Sequence, residues 1–169
     1  MEILKTATDW AKEEVFSTRF FILFGIMFVI ATVGFWKLGK TDMAKAYIIP
    51  TLVAGVLLLT IGFGLFFTNK SRITQFEIAY NKDAKAFVAS EFNRIERTIN
   101  EYKTIVFKGI PIILIICSLG ILFLKTPVWR ASFITAIAML VVILLVDGTA
   151  RNRIENYNEK LLELVEKQG

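Results

Sequence analysis

Residues 47–67 read YIIPTLVAGVLLLTIGFGLFF and contain no charged side chain. A helix of that length rises about 31 Å, which is enough to cross a hydrocarbon core about 30 Å thick. Thirteen of these residues are Ile, Leu, Val or Phe, which insert favourably into a bilayer. The stretch therefore predicts a transmembrane helix, and the rest of the chain is organised around it.

Three further apolar blocks complete the pattern, at residues 20–36, 109–124 and 131–146. Charged segments separate the blocks, whereas a soluble domain of this size would interleave its apolar and polar residues. The pattern predicts an all-α membrane protein with four transmembrane helices. Short turns join the spans in pairs, which predicts two tandem hairpins at residues 20–67 and 105–146.

Glycines in the second span mark places where another helix can approach closely. They are Gly55, Gly62 and Gly64. Small residues at such positions allow close backbone contact between membrane helices. Packing within the monomer is favoured over a dedicated dimerisation motif.

The polar segments at both ends of the chain also have helical periodicity. Residues 1–19 predict an amphipathic N-terminal helix that lies along the membrane surface, with Trp10 at the level of the lipid headgroups. Residues 147–169 predict a C-terminal helix with one apolar face. Both helices are expected on the cytosolic side.

The longest polar segment, residues 68–104, predicts a cytosolic amphipathic helix that begins after Asp83 as its N-cap. Its acidic side chains alternate with basic ones, which is typical of a solvated face. Its apolar residues recur at steps of four and three and form one seam. The seam residues are Val88, Phe92, Ile95, Ile99 and Tyr102. The seam must rest on a second helix of the same chain, on the bilayer or on a partner protein.

The distribution of basic residues predicts the orientation. The two termini and residues 68–108 hold fifteen Lys and Arg residues, and the short turns at residues 37–46 and 125–130 hold five. Because cytosolic loops carry the excess of positive charge, both termini and the central segment are expected in the cytosol. The expected location is a plasma (bacterial inner) membrane.

The two halves of the chain resemble one another. Residues 38–46 match residues 123–131 at an offset of 85, and residues 70–76 match residues 151–157 at an offset of 81. Two hairpins of the same orientation, related by a pseudo-two-fold axis along the membrane normal, would follow from such a repeat. Chance similarity between apolar segments is the alternative.

Few residues suggest chemistry. The chain has no histidine and a single cysteine, Cys117, so neither a cofactor nor a metal is expected. Basic residues that follow the second and fourth spans are candidates for lipid-headgroup anchoring, namely Lys70, Arg72, Arg151 and Arg153. Asp147, with Arg151 one turn later, is a candidate transport-related acid.

The sequence therefore favours a non-enzymatic membrane protein that acts by association, as a scaffold, regulator or immunity-type protein. Its expected partners are membrane lipids and either a second copy of the chain or another membrane protein, with the seam as the interaction surface. Nucleic acid is not an expected partner, because the excess of basic residues is modest. The alternatives are a homo-oligomeric ion channel or small transporter and, in third place, a membrane enzyme.

Overall fold

The computed structural model describes residues 1–167, and all regular structure in that range is helical. The elements are α1 (Glu2–Leu38), α2 (Asp42–Ala46), α3 (Ile48–Lys82), α4 (Ala84–Glu101), a π-helical segment (Tyr102–Gly109), α5 (Ile110–Phe123) and α6 (Pro127–Glu166). Because α4, the π-helical segment and α5 follow one another without a break, the chain forms four long rods. Residues 168 and 169, at the end of the predicted C-terminal helix, lie outside the described residues.

Each of the four rods is long and apolar enough to cross a membrane, and each contains one of the apolar blocks. The prediction of an all-α chain with four candidate spans is confirmed at this level. Asp83 caps α4 as predicted, because its carboxylate accepts a hydrogen bond of 3.0 Å from the backbone N–H of Ala86.

The rods continue beyond the apolar blocks, and their polar ends pack against one another. At 37 residues, α1 is about 55 Å long, so that about 25 Å extends past the hydrocarbon core. The polar ends of all four rods contribute to one apolar core, which contains Ile3, Ala7, Trp10, Ala11, Phe76, Phe87, Ile95, Ile154, Tyr157 and Leu161. We call this region, residues 2–19, 68–101 and 147–166, the polar bundle.

The placement of the N-terminal segment differs from the prediction. Because α1 runs without interruption from Glu2 to Leu38, residues 1–19 do not lie flat on a membrane that the same helix crosses. Trp10 is 6% exposed and stacks on Tyr157, with 5.4 Å between ring centroids. The headgroup position predicted for Trp10 is wrong, because periodicity reveals an apolar face but not what covers it.

Close packing of α1 against α3 depends on glycine. A Cβ at Gly62 would lie 2.8 Å from Ile22 Cγ1, and one at Gly55 would lie 2.9 Å from Val29 Cγ2. Both distances are shorter than van der Waals contact, so the two glycines are sites of close approach within the monomer. A Cβ at Gly64 would meet nothing within 4 Å, and this glycine is not a contact between the described helices.

The four rods do not close into a complete ring along their whole length. Within the described part of the chain, α3 contacts α1, α4 and α6, but neither the π-helical segment nor α5. In turn, α5 contacts only the π-helical segment and α6. The bundle is therefore closed at its polar end, where α3 and α4 meet at Asp83, and it is open between α3 and α5 at the level of the spans.

Candidate functional site at the boundary between spans and polar bundle

A cavity of about 370 Å³ lies where the spans meet the polar bundle. All four rods contribute to its wall. The polar lining residues are Glu14, Ser17, Thr18, Asn69, Arg72, Arg94, Thr98, Glu101, Tyr102 and Asp147. The volume falls within the range of about 300–1,000 Å³ that is usual for ligand sites, and its size and polarity make this cavity the candidate site.

A buried ion pair connects α1 to α6 beside the cavity. Arg153 Nε donates a hydrogen bond of 2.9 Å to Glu14 Oε1, and both side chains are largely removed from solvent. Burial raises the pKa of Glu14, and the charge of Arg153 opposes the increase. The pair fixes the register of the first and last helices of the chain, which are 139 residues apart at these positions.

A second buried network connects α4 to α1 and α6. The guanidinium of Arg94 donates two hydrogen bonds to the carboxylate of Glu91, which also accepts one of 2.9 Å from the Tyr157 hydroxyl. The same guanidinium lies 4.2 Å from the ring centroid of Trp10, a cation–π contact. Glu91 is 3% exposed, so its predicted place on a solvated face is wrong.

Arg72 lines the cavity without a carboxylate partner. Its Nη1 donates a hydrogen bond of 2.7 Å to Oδ1 of the buried Asn69, and no Asp or Glu among residues 1–167 lies within ion-pair distance. Burial lowers the pKa of Arg72, and the nearby charge of Arg94 lowers it further. A guanidinium is too basic to lose its proton in a protein, so Arg72 stays charged and is available to an anion.

Asp147, one residue beyond the fourth apolar block, also lines the cavity without an ion-pair partner in the described chain. The predicted pair with Arg151 is absent, because Arg151 Nε donates instead to Glu155 Oε1 at 2.8 Å. Burial raises the pKa of Asp147 to about 6, and the charge of Glu14 contributes to the increase. Asp147 is therefore a carboxylate that a cation or a proton would stabilise.

We expect Asp147→Asn to stabilise the protein at pH 7.5 by on the order of 2 kcal/mol, and to leave stability unchanged near pH 3. The pKa of Asp147 is raised from 3.8 to about 6, so its contribution to stability is present below pH 3.8 and is lost as the pH rises through 6. Asparagine is neutral at every pH and avoids that loss. Thermal unfolding in detergent at both pH values measures the difference. An equal effect at both would contradict the prediction.

The rim of the cavity is apolar, and the cavity is closed toward the far ends of the spans. Exposed side chains of Ile61 and Leu65 on α3 face Ile105 of the π-helical segment across the gap where these elements do not touch. Toward the far ends of the spans, Phe21, Leu58 and Val142 pack together as a buried layer at the end of the cavity. A solute that crossed the monomer would have to displace this layer.

The structure separates the four basic residues that were predicted as lipid anchors. Lys70 is exposed, with Nζ 5.9 Å from the ring centroid of Phe66. Arg151 is half-buried and lies over Phe107 at 5.1 Å. Arg72 and Arg153 point into the interior, Arg72 to the cavity and Arg153 to Glu14. Two of the four side chains therefore lie inside the fold and not at its surface.

The predicted seam also lies inside the fold. Ile95 is 1% exposed, and the other four seam residues, Val88, Phe92, Ile99 and Tyr102, pack against the core of the polar bundle. This is the alternative in which a second helix of the same chain covers the seam. A partner protein would find few of these side chains accessible.

Sequence reasoning missed Trp10, Glu14, Glu91 and Arg94 as interior polar residues. A signal was present, because Glu14 continues the stripe of Ile3, Ala7 and Trp10 at steps of four, three and four. An acid on the apolar face of an amphipathic helix is a candidate for burial beside a cation. Only the partners were out of reach, because Arg153 is 139 residues from Glu14 and Tyr157 is 66 residues from Glu91.

No group of three or more metal-binding side chains is positioned to hold an ion among residues 1–167. Neither a family model, nor a curated protein, nor a solved structure matches this chain. The interpretation of the cavity therefore depends on its own geometry and charge.

Proposed function

We propose that this chain is a non-catalytic integral membrane protein that works by binding, and that the cavity receives the charged headgroup of an amphiphile. The observation that carries this proposal is the presence, in one cavity with an apolar rim, of two opposite charges that have no ion-pair partner among residues 1–167, Arg72 and Asp147. A charge removed from water without a partner lowers stability, and a ligand of opposite charge offsets that cost.

The rim supports an amphiphile over a fully polar ligand. Ile61 and Leu65 belong to the second span, so the opening beside them faces the hydrocarbon region when the helix crosses a membrane. An apolar tail on these side chains would stay in an apolar environment, while the headgroup reaches the charges inside. The closed layer at Phe21 and Leu58 supports binding over passage, so the channel or transporter function receives less support.

Arg72→Gln is expected to reduce phospholipid binding about ten-fold, because it removes a charge-assisted hydrogen-bond donor worth about 1.4 kcal/mol or more. Lys70→Gln is the matched control: it removes the same charge two residues away, from an exposed side chain. We would measure bound lipid by native mass spectrometry of the purified protein and by titration in detergent. Equal losses in the two variants would mean that the basic residues act only as surface anchors.

We infer a cytosolic location for the polar bundle and both termini, in a plasma (bacterial inner) membrane. The polar ends of the four rods share one core, so they occupy the same side of the membrane. That side holds fifteen of the twenty Lys and Arg residues, and positive charge accumulates in cytosolic segments. An impermeant thiol reagent should label a cysteine at position 41 of intact cells and spare one at position 96, in a Cys117→Ser background.

We also infer that the chain is a tandem repeat of two hairpins. Residues at the offset of 81 occupy equivalent environments: Arg72 and Arg153 both point inward, and Phe76 and Tyr157 are both buried in the polar bundle. The glycine contacts between α1 and α3 have a counterpart between α5 and α6, where a Cβ at Gly120 would meet the ring of Phe133 at 2.6 Å. These correspondences support a repeat over chance similarity.

A second candidate function is protein association through α5, in the sense of a scaffold, regulator or immunity-type protein. The observation that favours it is the one-sided packing of α5, which leaves most of its large apolar side chains exposed. A partner helix is the alternative to lipid on that face. Oxidative cross-linking of Ile116→Cys, with Met27→Cys on α1 as the control, tests for a second copy in native membranes. Absence of a dimer specific to position 116 would remove self-association.

A further inference from the structure

The cavity has a basic pole and an acidic pole. Arg72 on α3 forms the basic pole, and the positive charge of Arg94 on α4 acts on it. Asp147 on α6 forms the acidic pole; Glu14 on α1 also lines the cavity but is paired with Arg153. No ion pair joins Arg72 and Asp147, so the guanidinium nitrogens and the carboxylate oxygens are more than 4.0 Å apart. A ligand can therefore contact Arg72 and Asp147 without separating an existing ion pair, whereas Glu14 is already paired with Arg153.

Both unpaired charges lie at the level where the spans end. Asp147 is one residue beyond the fourth apolar block, and Arg72 is five residues beyond the second. Arg72 donates its hydrogen bond back to Asn69, however, which is two residues beyond the second block. At about 1.5 Å per residue, the guanidinium and the carboxylate are within a few ångströms of the same depth. This is the depth at which the charged headgroups of a bilayer begin.

We propose that the ligand is a phospholipid whose headgroup carries both a phosphate and a primary ammonium, with the phosphate at Arg72 and the ammonium at Asp147. This inference rests on the proposed function. A phosphate accepts bidentate hydrogen bonds from a guanidinium. A primary ammonium donates three hydrogen bonds, which suits carboxylate acceptors. The apolar rim at Ile61 and Leu65 then receives an acyl chain.

The lining of the cavity favours a primary ammonium over a quaternary one. Quaternary ammonium groups have no N–H and are recognised by the faces of aromatic rings, most strongly of Trp. The ring of Trp10 already has neighbours: the guanidinium groups of Arg94 and Arg72 lie 4.2 Å and 5.8 Å from its centroid, and Tyr157 stacks on it at 5.4 Å. The acidic pole offers the carboxylate of Asp147 instead. A purely anionic headgroup would leave Asp147 without a counter-charge.

The test compares three phospholipids with identical acyl chains and ethanolamine, choline or glycerol headgroups. We expect the full-length protein in detergent to bind the ethanolamine lipid at least ten-fold more tightly than the other two. Asp147→Asn should reduce ethanolamine binding about ten-fold and leave glycerol-lipid binding unchanged. Glu155→Gln is the matched control, because that acid lies on the same helix and pairs with Arg151 instead; it should leave all three affinities unchanged.

The outcomes separate this inference from the function on which it rests. If the wild-type protein binds none of the three lipids, the proposed function fails. If it binds them equally, or prefers choline or glycerol headgroups, the proposed function stands and the ethanolamine preference is overturned. Soluble phosphoethanolamine is the fourth ligand. If this compound binds as tightly as the ethanolamine lipid, the ligand of the cavity is a free phosphoamine and not a membrane lipid.

Discussion

Replacing Glu91 with alanine is expected to lower the free energy of unfolding by about 3–5 kcal/mol, the usual cost of removing one partner of a buried ion pair. The carboxylate accepts two hydrogen bonds from Arg94 and one from Tyr157, and it is 3% exposed. Alanine leaves a guanidinium and a hydroxyl without acceptors inside the polar bundle. Because Arg94 belongs to α4 and Tyr157 to α6, the loss of these hydrogen bonds weakens the contact between the two helices.

Unfolding in detergent, followed by circular dichroism, measures this effect. Glu96→Ala is the matched control, because Glu96 lies on the same helix and is exposed; its effect is expected to stay below about 1 kcal/mol, as for most surface charges. Replacing Glu91 and Arg94 together by leucine is expected to recover much of the loss, since no unpaired charge remains. A Glu91→Ala protein as stable as the Glu96→Ala protein would contradict the buried network.

The second large effect is expected for Gly62→Leu, which should destabilise the protein by about 3 kcal/mol through overpacking between α1 and α3. Even the Cβ would lie 2.8 Å from Ile22 Cγ1 and 3.0 Å from the Ile22 backbone nitrogen. A side chain can rotate away, but a backbone nitrogen moves only with its helix. Gly62→Ala should therefore show part of the same effect.

Gly64→Leu is the control for this prediction, because a Cβ at Gly64 meets nothing within 4 Å. Both variants add the same apolar volume to the same helix, so they differ only in what the side chain meets. Thermal unfolding and size-exclusion chromatography of the purified variants report the comparison. If the two leucine variants behave alike, the close contact between α1 and α3 at Gly62 is not formed.

Much of the fold follows from local properties of the chain. The absence of charge in residues 47–67 predicts a span, and the same reasoning locates the other three. Asp83 predicts the start of α4, and it caps that helix. Gly55 and Gly62 predict close helix contacts, which are present. Hydropathy and capping depend on residues within a few turns of one another, so they can be calculated from the sequence.

The candidate site could be predicted only in part. Arg72 and Asp147 were selected by type and position, but Lys70 is an equally basic neighbour of Arg72 and points outward. Glu91 resembled the other acids of its segment until its burial was known. The direction of each side chain around its helix determines these differences, and this direction is set by which helices pack against it.

The sequence by itself determined that the chain is helical and that it contains four stretches able to cross a membrane, separated by charged segments. Only the tertiary structure decided that the polar ends of the four rods form one bundle, that Glu14 meets Arg153 across 139 residues, and that a cavity opens between α3 and the π-helical segment. The physical reason is the range of the forces. The free energy of burying a segment in lipid is a sum over the residues of that segment. Ion pairs and cavities depend instead on the relative position of helices that are distant in sequence.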